Sequence, residues 1–229
     1  MSLETLPGSS NMINPDYWRQ LDLVTPDELK LPITLVGAGG IGSPTALALA
    51  KMGCSHLTVY DPDLIEPHNL PNQFYRLEDS ARPKVEALRE LIRAFTGLEI
   101  VSLQEAVSQQ PLSGLVISGV DSMSARQGIW QGAIRYRSNV ELYIDARMGA
   151  EVCRIYSVRP SDPEDVRAYE LTLYDDNQAT DDACTAQAII YNVLSIAALI
   201  ANQVKKHAKG ERLDREVILD LKTLTLLVN

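Results

Sequence analysis

Residues 35–44 read L-V-G-A-G-G-I-G-S-P, and their reading decides the fold. An apolar run, residues 31–36, leads into them, and a small-residue helix pattern over residues 41–53 leads out. Gly37, Gly39 and Gly42 fit the G-x-G-x-x-G phosphate fingerprint, with Gly40 inside it. In that fingerprint one glycine makes the tight turn, one admits the phosphates and one lets the helix pack closely on the strand. The helix amides then face the anion. A second apolar run, H-L-T-V-Y at residues 56–60, ends at Asp61. That is about 20 residues after the turn, where a ribose-binding carboxylate belongs. The turn alone does not choose between NAD and ATP, since both chemistries use it.

Outward from this stretch the hydrophobic period alternates between 2 and 3.6. Strands are expected over residues 98–103, 115–120 and 140–145, and helices over residues 79–94 and 123–136. Strands alternating with helices define an α/β fold with a mostly parallel sheet. Beyond Arg147 the pattern changes to a strand over residues 151–158 and an acidic, loop-like stretch over residues 161–183. A long helix over residues 184–209 follows, ending in basic residues before Gly210, and then two short strands within residues 216–228. The expected architecture is a Rossmann-like mixed sheet with helices on both faces. It forms a single domain over residues 1–229, with an N-terminal helical segment (1–30), a nucleotide-binding core (31–150) and a C-terminal part (151–229).

Composition narrows the function. The chain has 229 residues, 45% of them hydrophobic, and a formal net charge of −9. Such a balance disfavours a nucleic-acid partner, which needs a basic footprint. The three cysteines, Cys54, Cys153 and Cys184, form no C-x-x-C pair. No structural zinc is expected, and a reducing, cytoplasmic setting follows. Residues 1–15 are polar and carry no signal-peptide core. The most apolar stretch, residues 186–201, is shorter than the roughly 20 residues a membrane span requires. It reads as a buried core helix.

The run D-P-D-L-I-E-P-H-N-L-P-N-Q-F-Y-R at residues 61–76 favours ATP. Asp61 and Asp63, then Asn69-Leu70, then Gln73 resemble the D-x-D…N-L-x-R-Q signature of the ubiquitin-activating superfamily, of the ThiF and MoeB type. Further pieces follow the same order. Arg82-Pro83-Lys84-Val85 is similar to the family's lysine segment, and Gly119-Val120-Asp121 with Arg126 to its D-N-x-x-x-R. Tyr17-Trp18-Arg19-Gln20 is similar to its N-terminal R-Y-x-R-Q.

The resemblance implies an adenylating enzyme. It would spend ATP with Mg²⁺ on the C-terminal carboxylate of a small ubiquitin-like or sulfur-carrier protein with a flexible tail. It implies ATP on Gly37, Gly39, Gly40, Gly42, Asp61, Asp63, Asn69, Gln73 and Lys84, and Mg²⁺ on Asp121. Lys84 would serve the phosphates, and Arg19 would reach into the partner subunit's site of a homodimer. Cys184, near the long helix's start, would be the thiol for onward transfer. Each has a plainer alternative: a solvated helix lysine for Lys84, a helix cap for Asp121, a surface charge for Arg19 and a structural role for Cys184. Arg126 is expected to pair with an acid rather than to touch substrate.

The match has departures. Asn72 stands where the family carries arginine, with Arg76 four residues on, and Ser122 replaces the asparagine after the metal aspartate. Two rivals therefore stay open: a catalytically degenerate binding or scaffold protein, and an NAD-dependent oxidoreductase.

Overall fold

In the computed structural model, residues 15–175 and 189–229 are described. Eight strands form one sheet in the order β3-β2-β1-β4-β5-β6-β7-β8. Strands β1 (Ile33–Val36), β2 (Leu57–Tyr60), β3 (Val101–Leu103), β4 (Gly114–Ser118) and β5 (Val140–Gly149) pair in parallel. Strands β6 (Val152–Val158), β7 (Glu216–Asp220) and β8 (Thr225–Val228) continue antiparallel from β5. The sheet is mixed and mostly parallel, as the alternating pattern predicts. Strands β1 and β4 are buried along their whole length, which explains their uninterrupted apolar runs.

Helices cover both faces. On one side α1 (Gly42–Met52), α2 (Lys84–Thr96) and α5 (Ile190–Ala208) close a core with Ile33, Leu35, Leu115 and Ile117. On the other, α3 (Met123–Ile129) and α4 (Pro163–Glu170) close a second core around Trp130, Tyr143 and Tyr169. Gly53 ends α1 in the left-handed region at φ 100°, as a helix stop requires. Helix α5 buries Val193, Ile196, Ala197, Ile200 and Val204, while Ile190 and Leu194 are exposed on its outer side. No described helix is long and apolar enough to cross a membrane.

Five elements differ from the sequence-based expectation. The helix expected from residue 79 begins only at Lys84, because Pro83 is its N-cap, and Leu77–Asp79 is a separate 3-10 turn. Helix α3 passes at Trp130–Ile134 into a π-helical turn. The acidic stretch after β6 is not all loop, since Asp162 caps α4 through the Glu164 amide. In the N-terminal segment, the described residues hold a 3-10 turn, Trp18–Gln20, rather than an α-helix. Strand β5 also runs on to Gly149, beyond the expected end at residue 145. Its extra residues pair with β6.

Candidate active site

The order β2-β1-β4 places a topological switch point between β1 and β4, where open α/β sheets bind ligands at their carboxyl ends. A cleft of about 650 Å³ lies there, lined by the glycine turn, by Asp61, Asp63, Asn69, Gln73 and Lys84, and by Asp121 across from them.

The turn is built tightly. Gly37 sits at φ 96°, and a Cβ there would lie 3.0 Å from the Gly119 carbonyl oxygen on the neighbouring strand end. Gly42 is tighter still, since a Cβ would lie 1.8 Å from the Gly37 carbonyl oxygen. Gly42 does not line the cleft but lets α1 begin against the turn. The turn's peptide at Ala38 is held on both sides. Asp61 Oδ2 accepts its N–H at 2.6 Å, and its carbonyl accepts from Tyr75 Oη at 2.6 Å. The next amides, at Gly39 and Gly40, find no acceptor among the described residues. They lie at a helix N-terminus, the ordinary place for an anion.

Asp61 is therefore a fastener of the turn as well as part of the cleft wall. Its other oxygen accepts the Asp63 amide at 2.8 Å. Burial pushes its carboxyl above the usual carboxylate range, against the lowering effect of the Ala38 hydrogen bond and of Lys84. Asp63 is the more exposed carboxylate of the pair, and its Oδ2 takes the Lys84 ammonium at 2.8 Å. Lys84 is placed by backbone bonding: its amide donates to the Asp63 carbonyl, and Ile65 donates to Arg82. Two segments distant in sequence thus meet at the start of α2.

Asn69 uses its Oδ1 to cap the Glu66 amide within the 3-10 turn Pro67–Asn72. Gln73 is different: its Oε1 is buried without a partner beside Gly39. A buried acceptor without a donor is a position for a ligand's donor.

Asp121 carries no hydrogen bond or ion pair among the described residues and lines the cleft. Ser122, not Asp121, caps α3, its hydroxyl accepting the Ala125 amide at 3.2 Å. The substitution at Ser122 is thus absorbed as a helix cap, and the carboxylate of Asp121 stays available. A single free carboxylate suits a hard divalent cation that takes its remaining ligands from phosphates and water. No cluster of three metal-ligating side chains exists among the described residues.

The remaining cations are mostly committed. Arg76 lines no part of the cleft. It bonds Asp79 at 2.8 Å and Glu78 at 2.7 Å, so it does not fill the place of the arginine replaced by Asn72. Arg126 is fully buried and pairs with Asp145 at 2.6 Å, an acid on β5 rather than on its own helix. Burial, the largest single effect, lowers the Arg126 guanidinium, but the charge and hydrogen bond of Asp145 together with Tyr143 and Tyr169 hold it above its usual value. Arg147 takes the other oxygen of Asp145 at 2.8 Å. Arg126 and Arg147 both reach the cleft wall.

Arg19 lies outside this cleft, on the 3-10 turn, with its guanidinium over the Trp18 ring. Cys184 lies outside the described residues. Cys54 and Cys153 are buried free thiols, each pushed up to about 12 by burial, and neither is poised as a nucleophile.

The Asp145–Arg147 pair was not singled out from the sequence as part of the site. The signal was present: two charged residues at strand spacing inside an otherwise apolar run share one face of β5.

The fold is a Rossmann-type mixed sheet with a glycine turn at its switch point. Residues 23–225 match the ThiF family, and the chain belongs to that family. It is 32% identical over 117 residues to the NEDD8-activating enzyme E1 catalytic subunit of Arabidopsis thaliana, covering 47% of this chain and 26% of that protein. It is 29% identical over 127 residues to the sulfur carrier protein ThiS adenylyltransferase of Escherichia coli, covering 49% of this chain and 51% of that protein. These alignments span between about a quarter and a half of the relatives' own lengths. Among solved structures, E. coli MccB with ATP superposes with a TM-score of 0.73 at 17% identity, covering 98% of this chain and 73% of that one. That likeness is one of fold.

Proposed function

We propose that the chain adenylates a carboxylate at the C-terminus of a small ubiquitin-like or sulfur-carrier protein, at the expense of ATP. The observation that carries the reading is one cleft with two unfilled ends. The free amides of Gly39 and Gly40 and the orphan Gln73 oxygen stand on one side, and the unpaired Asp121 carboxylate on the other. Triphosphate on the turn brings its α-phosphorus between them. The partner's carboxylate oxygen attacks that phosphorus, the bond to the bridging oxygen breaks, and pyrophosphate leaves. Mg²⁺, held by Asp121 and the phosphates, would neutralise charge on the leaving group. Lys84 supplies a fixed cation on the same side, its own charge balanced by Asp63 until the phosphates arrive. Arg19, remote from its own cleft, serves the neighbouring subunit of a homodimer. Onward transfer to the Cys184 thiol rests on the resemblance alone.

The nearest rival is a binding protein with weak or no turnover. It is favoured by Asn72 and by the commitment of Arg76 to Asp79, Glu78 and Glu90. Loss of one such cation typically costs about 10²–10³ in rate. The NAD reading is disfavoured by family membership. ATP–pyrophosphate exchange decides between enzyme and binder, with a small ubiquitin-like protein ending in Gly-Gly as the probe. Exchange that disappears in Asp121→Ala supports the enzyme. Mg·ATP binding without exchange for any such probe supports the binder.

A further inference from the structure

One buried carboxylate joins two segments that are far apart in the chain. Asp145 on β5 is completely buried, and each of its oxygens holds a different arginine. Through Oδ1 it orients Arg126, whose other nitrogens donate to the carbonyls of Val120 at 2.9 Å and Ser122 at 3.3 Å. Those two carbonyls flank Asp121. Through Oδ2 it orients Arg147, whose guanidinium donates to both the carbonyl and the hydroxyl of Thr172, each at 2.9 Å. Tyr169 Oη donates to the same oxygen at 3.1 Å. Thr172 begins the segment that leaves α4, and Gln127 of α3 holds that segment again at the Tyr174 carbonyl.

We infer that Asp145 is the positioning residue of this site, presenting Asp121 through Arg126 and anchoring the segment 171–175 through Arg147, which itself lines the cleft. The inference rests on the adenylating reading only for what Asp121 and the anchored segment contact. The two-armed positioning itself is a property of the fold. A guanidinium fork fixes direction as well as distance, so each arm sets an orientation that a lysine could not reproduce. Both arms close on a carboxylate shielded from water, where hydrogen bonds hold geometry most firmly. Neither arginine is then a free phosphate ligand. Their net positive charge with Asp145 still lies along the cleft wall.

The test uses the full chain and four proteins: wild type, Asp145→Asn, Arg126→Lys and Arg147→Lys. Amide hydrogen exchange reads positioning without any ligand. Asp145→Asn is expected to speed exchange about tenfold in both residues 119–123 and residues 171–175, leaving β1 and β4 slow. Arg126→Lys is expected to loosen the first segment alone, and Arg147→Lys the second alone. A Mg²⁺ titration of thermal stability at fixed non-hydrolysable ATP analogue supplies the second readout. Its midpoint should rise about tenfold in Arg126→Lys and stay unchanged in Arg147→Lys. Uniformly faster exchange, or no local change in either segment, would overturn the inference. So would a lysine variant that loosens both segments equally. If Asp145→Asn does not fold, the two lysine variants carry the test alone. A wild type that ignores the nucleotide analogue would sink the adenylating reading, while the exchange pattern would still judge the positioning role.

Discussion

The carboxylate of Asp61 receives the amide of Ala38 at 2.6 Å, so the acid after β2 fastens the glycine turn after β1. The spacing of turn and acid reads in sequence as a ribose site. In the folded chain the same spacing also stabilises the phosphate turn itself. Removal of Asp61 therefore acts before any ligand binds. Asp61→Ala leaves the Ala38 N–H unpaired and is expected to cost about 1–3 kcal/mol of stability. Chemical unfolding without nucleotide checks this, and an unchanged stability would reduce Asp61 to a ligand contact.

Gly42 makes a sharper steric prediction. The atom a Cβ would strike is the Gly37 backbone oxygen, which cannot swing aside as a side chain can. Gly42→Ala should lose about 1–3 kcal/mol or more, seen as a fall in Tm of several degrees. Gly128 supplies the control for crowding, because a Cβ there meets nothing within 4 Å and its backbone is not in the left-handed region.

Two buried acids, Asp79 and Asp61, predict opposite pH effects. Asp79 is held below the usual carboxylate range, chiefly by its hydrogen bonds with Arg76. Its stabilisation is full above its unfolded pKa of about 3.9 and is lost as pH falls through the lower folded value. Asp61 is held above that range by burial. Its folded form binds the proton more tightly, so it favours the native state below the unfolded pKa, and that contribution is lost as pH rises through the folded value. Stability–pH curves of Asp79→Asn and Asp61→Asn should therefore depart from wild type in opposite directions across the acid limb. Parallel departures would contradict the assignment.

Lys84 and Arg76 divide two roles that the family signature places together. Lys84 lines the cleft, whereas Arg76 is turned to Asp79 and Glu78. Lys84→Ala should weaken ATP affinity while leaving the fold intact. Arg76→Ala should lower stability above the unfolded carboxylate pKa of about 3.9, with the loss fading as Asp79 protonates in acid, and should leave nucleotide affinity unchanged. Isothermal titration with a non-hydrolysable ATP analogue separates them, and an equal loss in both would contradict the division.

Much of the parallel half was legible because β1 and β4, each flanked by strands on both sides, are buried throughout and repeat apolar residues. The start of α2 was not. Pro83 fits inside a helical period but serves as an N-cap, a choice made by the pairing of residues 63–65 with residues 81–84. Helix α4 was hidden by its acidic composition, although Val166 and Tyr169, one turn apart, bury its inner face. Site residues on the turn and at strand ends could be named from motif spacing. The Arg126–Asp145 pair could not be found the same way, because its partners meet only when α3 packs on β5. Arg76 offered a cation at roughly the right place in sequence, and only the geometry of Asp79 assigns it elsewhere.

The most direct measurement is thermal stability of wild type and Asp121→Ala, titrated with Mg·ATP and with NAD. Asp121 makes no hydrogen bond or ion pair among the described residues, so the unliganded stability of the variant should stay within about 0.5 kcal/mol of wild type. Saturating Mg·ATP, at about 100 times its Kd, should stabilise wild type by roughly 2.7 kcal/mol. The same ligand should act much more weakly on Asp121→Ala, and NAD should leave both proteins unmoved. A shift with NAD alone, or a Mg·ATP shift undiminished in Asp121→Ala, would contradict the account.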